Sequence, residues 1–123
     1  MSSPAVPVPV RRSVLGTWLP VVAWAAVIFA FSSLPSGSTE LSTWELVVRK
    51  LAHVTEYAIL AALLCRALRR AVPAIVLASL YAVTDELHQT FVEGRLGTPR
   101  DVAIDLAGIL VGVVGWRLWR RRR

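Results

Sequence analysis

Residues 14–31, VLGTWLPVVAWAAVIFAF, run for eighteen positions without a single charge. A helix needs about 20 mostly apolar residues to cross a hydrocarbon core ~30 Å thick, and this run nearly supplies them. Three further apolar stretches approach the same length: 46–68, 73–91 and 106–119. The last two reach it only by taking in Asp85, Glu86, His88, Asp101 and Asp105. A chain that is 55% hydrophobic and only 18% charged is too apolar for an ordinary soluble domain. In lipid every backbone polar group must be satisfied within the fold, which leaves helices for segments of this kind. The reading is all-α, a four-helix transmembrane bundle over residues 13–119. A Pro-rich, disordered cytoplasmic tail is expected at 1–12 and a basic cytoplasmic tail at 120–123.

The net charge of +6 is distributed by position. Arg11 and Arg12 precede the first span. Arg66, Arg69 and Arg70 close the second, and Arg117 with Arg120, Arg121, Arg122 and Arg123 closes the fourth. These segments contain no Asp or Glu. All eight acids lie in the opposite loops or in the helix halves nearest them. The positive-inside rule then predicts N-in/C-in topology, with the loops around 33–46 and 92–100 facing outward. The basic C-terminal tail reads as an anchor for anionic lipid headgroups, and nucleic acid is not expected as a partner. Arg-Arg, an apolar run and AFSS resemble a secretory signal, but Trp18, Pro20, Trp24 and the full spanning length favour a retained helix. Trp18, Trp116 and Trp119 read as a cytoplasmic aromatic belt, with Trp44 as its outer counterpart. The single Cys65 excludes an internal disulfide and a Cys-based zinc site.

The charged residues inside the spans fall on faces. In the second span Lys50, His53, Glu56 and Tyr57 share one arc at 100° per residue. In the third, Tyr81, Thr84, Asp85, His88 and Gln89 share another, and Glu86 falls off it, toward headgroups or the loop. The fourth opens TPRD: Thr98 as N-cap, Pro99 at the first helical position and Asp101 in a capping-box position. Asp101, Asp105, Gly108, Gly112 and Gly115 form one face, with Gly108 and Gly112 as a seam for close helix approach. An ionisable side chain at the bilayer centre costs ~2.5–3.5 kcal/mol on insertion scales, so these residues should face an interior and pair there. Together they predict a polar pocket at the extracytoplasmic end, with GSTE and VEGRLGT as covering loops and Ser32 and Ser33 reaching the same level. Asp105, the deepest acid, is expected to meet His53, Lys50, Tyr57 or His88.

The ordered pieces FSSLP, KLAHVTEYAILAALL, YAVTDELHQTFVEGR and RDVAIDLAGILVG resemble the VanZ-like membrane proteins, over most of the chain from Phe31 to Gly112. Glu93 in FVEGR stands where many relatives are expected to carry Pro. The resemblance implies a multi-pass protein of the bacterial plasma membrane, acting in envelope physiology and associated with tolerance of the glycopeptide teicoplanin.

Two classes of function fit the pocket. In one it binds an envelope lipid, a lipid-linked precursor or the antibiotic, with Lys50, Tyr57, Tyr81, Gln89, Arg95, Arg100 and Asp101 as binding residues. In the other it is a small membrane hydrolase or transferase. His53 with Glu56, and Asp85 with His88, each one turn apart, would then supply acid–base groups beside Asp105, and Lys50, Arg95 or Arg100 would hold a phosphate. His-x-x-Glu and Asp-x-x-His suggest a carboxylate–His metal site, but one pair has the reverse order of the usual Glu-x-x-His and cations crowd the region, so no metal or other cofactor is expected. Transport through four short unbroken helices would require a homo-oligomer.

Overall fold

The computed structural model describes residues 6–8, 11–35, 42–95 and 97–123. They form four α-helices: α1, Val14–Ser32; α2, Thr43–Leu68; α3, Ala71–Gln89; and α4, Pro99–Arg121. No strand occurs among the described residues. Most of the expected N-terminal tail, and all of GSTE, lie outside them.

Local chemistry sets the helix ends. Ser13 caps α1 by accepting from the Gly16 N–H at 3.0 Å. Ser42 and Glu45 form a reciprocal capping box that starts α2 three residues before its apolar run. Thr98 caps α4 and Pro99 follows at the first helical position, where its missing N–H costs nothing. Thr98 accepts from the Asp101 N–H and donates its own hydroxyl to the Asp101 carboxylate at 2.8 Å. Between α2 and α3 only Arg69 and Arg70 remain. The chain reverses there because Arg69 adopts a left-handed conformation, φ 58°, while its N–H closes on the Cys65 carbonyl.

So short a turn makes α2 and α3 antiparallel neighbours. α2 and α4 run parallel, because Lys50 meets Asp101, His53 meets Asp105, and Val54 and Ala58 lie against Gly108 and Gly112. α1 runs parallel to α3: Tyr81 reaches Ala25, and Gln89 reaches Ser32. The chain therefore goes up, down, up and down. Both described chain ends and the Arg69–Arg70 turn gather at one end, and the end of α1, the start of α2, the end of α3 and the start of α4 gather at the other. α2 and α3 are central. α1 and α4 flank them and do not touch each other among the described residues.

The α2–α4 interface is the tightest. A Cβ built on Gly108 would lie 2.9 Å from the Val54 Cα, and one on Gly112 would lie 2.9 Å from the Ala58 Cα. Only glycine allows that approach, which in a membrane replaces the hydrophobic effect as the source of packing energy. Gly115, expected on the same seam, faces open space. The core is small and apolar: Ile28, Leu60, Ala61, Cys65, Ala74, Ala78, Ala82 and Ile109 are buried around Tyr57. Large apolar side chains such as Leu15, Phe29, Val76, Leu80, Leu110 and Val114 are exposed on the outside of the bundle, as a lipid-facing surface requires. Helices α1, α2 and α4 are each long and apolar enough to cross a membrane. α3, with Asp85, Glu86 and His88 in its final turns, is 19 residues long.

Candidate functional site

The parallel α2–α4 pair places acids of α4 against bases of α2. Below, the two glycines hold the backbones together. Above, Asp105 lies one turn from Gly108 and is fully buried. The ring of His53 reaches across, and its Nδ1 lies 2.9 Å from Asp105 Oδ1. One turn further out Lys50 forms an ion pair with Asp101. Asp105 thus meets His53, one of the four partners expected for it.

Glu86 corrects the sequence reading. It does not point to headgroups or the loop: it is 4% exposed, and its carboxyl group faces that of Asp105, with which it can pair only through a shared proton. Asp105 Oδ2, the oxygen not taken by His53, likewise has no N–H or hydroxyl donor. His53, Glu86 and Asp105 each place a ligand-capable atom within 4.8 Å of the others. A buried carboxylate without compensation costs several kcal/mol, so this convergence needs a chemical reason.

On the other side of α3 the polar groups are satisfied. Tyr57, fully buried, donates its hydroxyl to Asp85 Oδ2 at 2.9 Å. Gln89 donates to the same oxygen at 3.4 Å and to the Ser32 hydroxyl at 3.3 Å. Tyr81 donates to the Ala25 carbonyl of α1. His88 stacks on Phe29, centroids 4.7 Å apart, and its Nε2 lies 3.0 Å from Ser33 Oγ. The Ser33 hydroxyl proton is already given to the Phe29 carbonyl, so His88 Nε2 carries the proton that joins them. The expected dyads separate: no hydrogen bond joins His53 to Glu56 or Asp85 to His88 among the described residues. His53 takes Asp105, Asp85 takes Tyr57, and His88 belongs to the α1–α3 contact.

A cleft of about 160 Å³ opens beside His53, between the end of α1 and the outer turns of α2. His53 and Glu56 line it, with Arg49, Arg95 and the apolar edge of Phe31 and Leu34. Arg95 is tied down: its Nε donates to the Leu34 carbonyl at 2.9 Å and its Nη2 to the Phe31 carbonyl at 3.1 Å. These carbonyls end α1, where the helix dipole favours a cation. Burial, and then the positive charge of Arg49, draw the Arg95 guanidinium below its ordinary value; it still stays charged at neutral pH.

Of the residues expected in one pocket, His53, Glu56 and Arg95 line this cleft and Asp105 sits behind His53. Lys50 and Asp101 pair with each other. Tyr57, Asp85 and Gln89 form a buried network, while Tyr81 and His88 fasten α1. Arg100 is exposed and does not line the cleft. Arg49 and Glu86 were not expected at the site. Arg49 could have been read from the helical row Arg49, His53, Glu56, spaced four and three residues apart. Glu86 ends a row of every fourth residue, Ala74, Ala78 and Ala82, all fully buried.

At the opposite end Arg69, Arg117, Arg120 and Arg121 surround a hollow of about 480 Å³ beside Trp116. Arg120 lies over the Trp116 ring at 4.9 Å, and Arg123 over Trp119 at 4.7 Å. The two ends of the bundle differ sharply in chemistry.

The family model described as VanZ/LLP1 matches residues 17–120, which covers all of α2 and α3 and nearly all of α1 and α4. Nothing matches among curated proteins or among solved structures. The chain belongs to the VanZ/LLP1 family.

Proposed function

From membership of the VanZ/LLP1 family, we propose that this protein spans the bacterial plasma membrane four times, N-in/C-in. At its outward end it binds the anionic headgroup of a lipid-linked envelope precursor. The observation that carries this reading is the cleft shared by Arg49 and Arg95. Both guanidinium groups border one small opening that also holds Glu56, and a phosphate or pyrophosphate seated there would accept charge-assisted hydrogen bonds from the guanidinium N–H groups facing it. The exposed, apolar Phe31 and Leu34 edge gives an acyl or prenyl chain a surface to follow into the bilayer.

Size argues against the antibiotic as the enclosed ligand. Pockets for drug-sized molecules run to about 300–1,000 Å³, and a glycopeptide is larger still. The cleft holds a headgroup. Any tolerance of teicoplanin then follows from capturing or presenting the precursor that the antibiotic targets. Four spans are supported by the parallel course of α2 and α4, which obliges α3 to return through the thickness that α2 has crossed. Orientation is supported by the Arg-rich end, where each basic residue near an anionic surface contributes about 1 kcal/mol.

A second reading, acid–base catalysis, rests on His53. Asp105 holds its Nδ1, which leaves Nε2 as the nitrogen available to a ligand in the cleft, the arrangement a general base requires. Lipids that co-purify in mild detergent, identified by mass spectrometry, separate these readings. Binding predicts an intact polyprenyl phosphate or pyrophosphate on the wild type, lost from Arg95→Gln and retained by His53→Gln. Catalysis predicts that the wild type holds little and that His53→Gln accumulates the uncleaved lipid. No enriched anionic lipid on either protein would reject both.

A further inference from the structure

We infer that His53, Glu86 and Asp105 form a site for one divalent first-row transition-metal ion, Zn²⁺ or Mn²⁺, behind the floor of the cleft. The inference does not rest on the headgroup reading. Its ground is a set of buried acceptor atoms with no donor facing them: both oxygens of Glu86 and one of Asp105 lie together and can pair with each other only through a shared proton. Glu86 is 4% exposed and Asp105 fully buried. One Glu86 oxygen converges with the Asp105 carboxylate and a His53 nitrogen within 4.8 Å.

Their chemistry suits such an ion. One imidazole and two carboxylates are an N/O donor set of the kind that holds Zn²⁺ or Mn²⁺, and no thiolate is near to favour a softer metal. Two carboxylates balance the charge of a divalent cation. His53 Nδ1 and Asp105 Oδ1 lie at hydrogen-bond distance, 2.9 Å, and sharing a tetrahedral sphere with bonds of about 2.0–2.2 Å would open that separation only to about 3.3–3.6 Å. The metal would take the place of the proton on Nδ1, and that proton leaves to solvent. Access exists from two sides. His53 lines the cleft, and Glu86 borders a second groove between α3 and α4, beside Val83, Thr90 and Val102. Ligands from α2, α3 and α4 make the ion a clasp on the three most closely packed helices.

The test uses the full-length protein in detergent, freed of metal by chelator and titrated with Zn²⁺ and Mn²⁺ by calorimetry. Visible absorption with Co²⁺ serves as an independent probe on the wild type. The site predicts one equivalent bound, weaker binding on acidification as the ligands protonate, and cobalt bands characteristic of a mixed N/O sphere. Glu86→Gln should weaken binding at least as much as the ~10–100-fold typical of losing an outer-shell partner, while Glu93→Gln in the exposed loop should not change it. Absence of binding to the wild type at millimolar metal would overturn the inference. So would binding that Glu86→Gln and His53→Gln both leave unchanged in folded protein. In that event the two carboxyl groups share a proton.

Discussion

Tyr57 and Glu86 illustrate how differently two buried polar residues can be placed in one bundle. Tyr57 is enclosed on all sides, yet its hydroxyl has a carboxylate at 2.9 Å, and that carboxylate has Gln89 as a second donor. Glu86 is 4% exposed and has no such donor, only the neighbouring Asp105 carboxyl. The first is a lock, and the second is the group on which the proposed metal site depends. Tyr57→Phe keeps the ring and removes the hydroxyl, which leaves Asp85 with one long contact. It is expected to lower stability by about 1–3 kcal/mol, the cost of an unsatisfied buried group. Thermal unfolding in detergent measures it, and an unchanged midpoint would mean that Asp85 does not depend on Tyr57. That Asp105 faces a partner helix is legible in the sequence, because it lies one turn above a glycine seam; which of His53, Lys50, Tyr57 and His88 it meets is not, and the structure gives His53. Nor is the identity of Asp85's partners legible. A helical wheel ranks residues by angle, whereas Asp85 chooses by reach among Tyr57, His88 and Gln89.

At the level of helices, hydropathy located all four elements and the glycine spacing identified the α4 packing face. Two of the three glycines behaved as the wheel predicted. Gly115 did not, because helical periodicity says where a face points and not where the neighbouring helix has diverged. The contrast gives a prediction. Gly112→Ala places a methyl against the Ala58 backbone, which cannot yield as a side chain would. It is expected to cost about 1–3 kcal/mol, the usual penalty for overpacking. Gly115→Ala meets open space and should be neutral or stabilising by up to about 1 kcal/mol through helix propensity. Equal effects in detergent melts would contradict the α2–α4 interface. Glu86 departs from the wheel for a related reason. The wheel assigns α3 one interior face, but α3 packs against α1, α2 and α4. Its buried arc is therefore wide enough to hold both Asp85 and Glu86, which point about 100° apart. The row of small residues leading to Glu86 marked that second face.

The whole molecule separates its chemistry by end. Ten of the fourteen Lys and Arg residues lie at the end with the chain termini, and no acid is there. At the other end the described acids, both histidines and the remaining four cations are gathered among α1, α2, α3 and α4. That this polar end faces away from the cytoplasm is the claim on which binding of an envelope precursor depends. Single cysteines introduced into Cys65→Ser protein test it in intact cells. With an impermeant thiol reagent, cysteine replacing the exposed Glu93 is predicted to react, and cysteine replacing the exposed Arg70 to react only after the membrane is permeabilised. The reverse pattern would put the cleft in the cytoplasm and contradict the account.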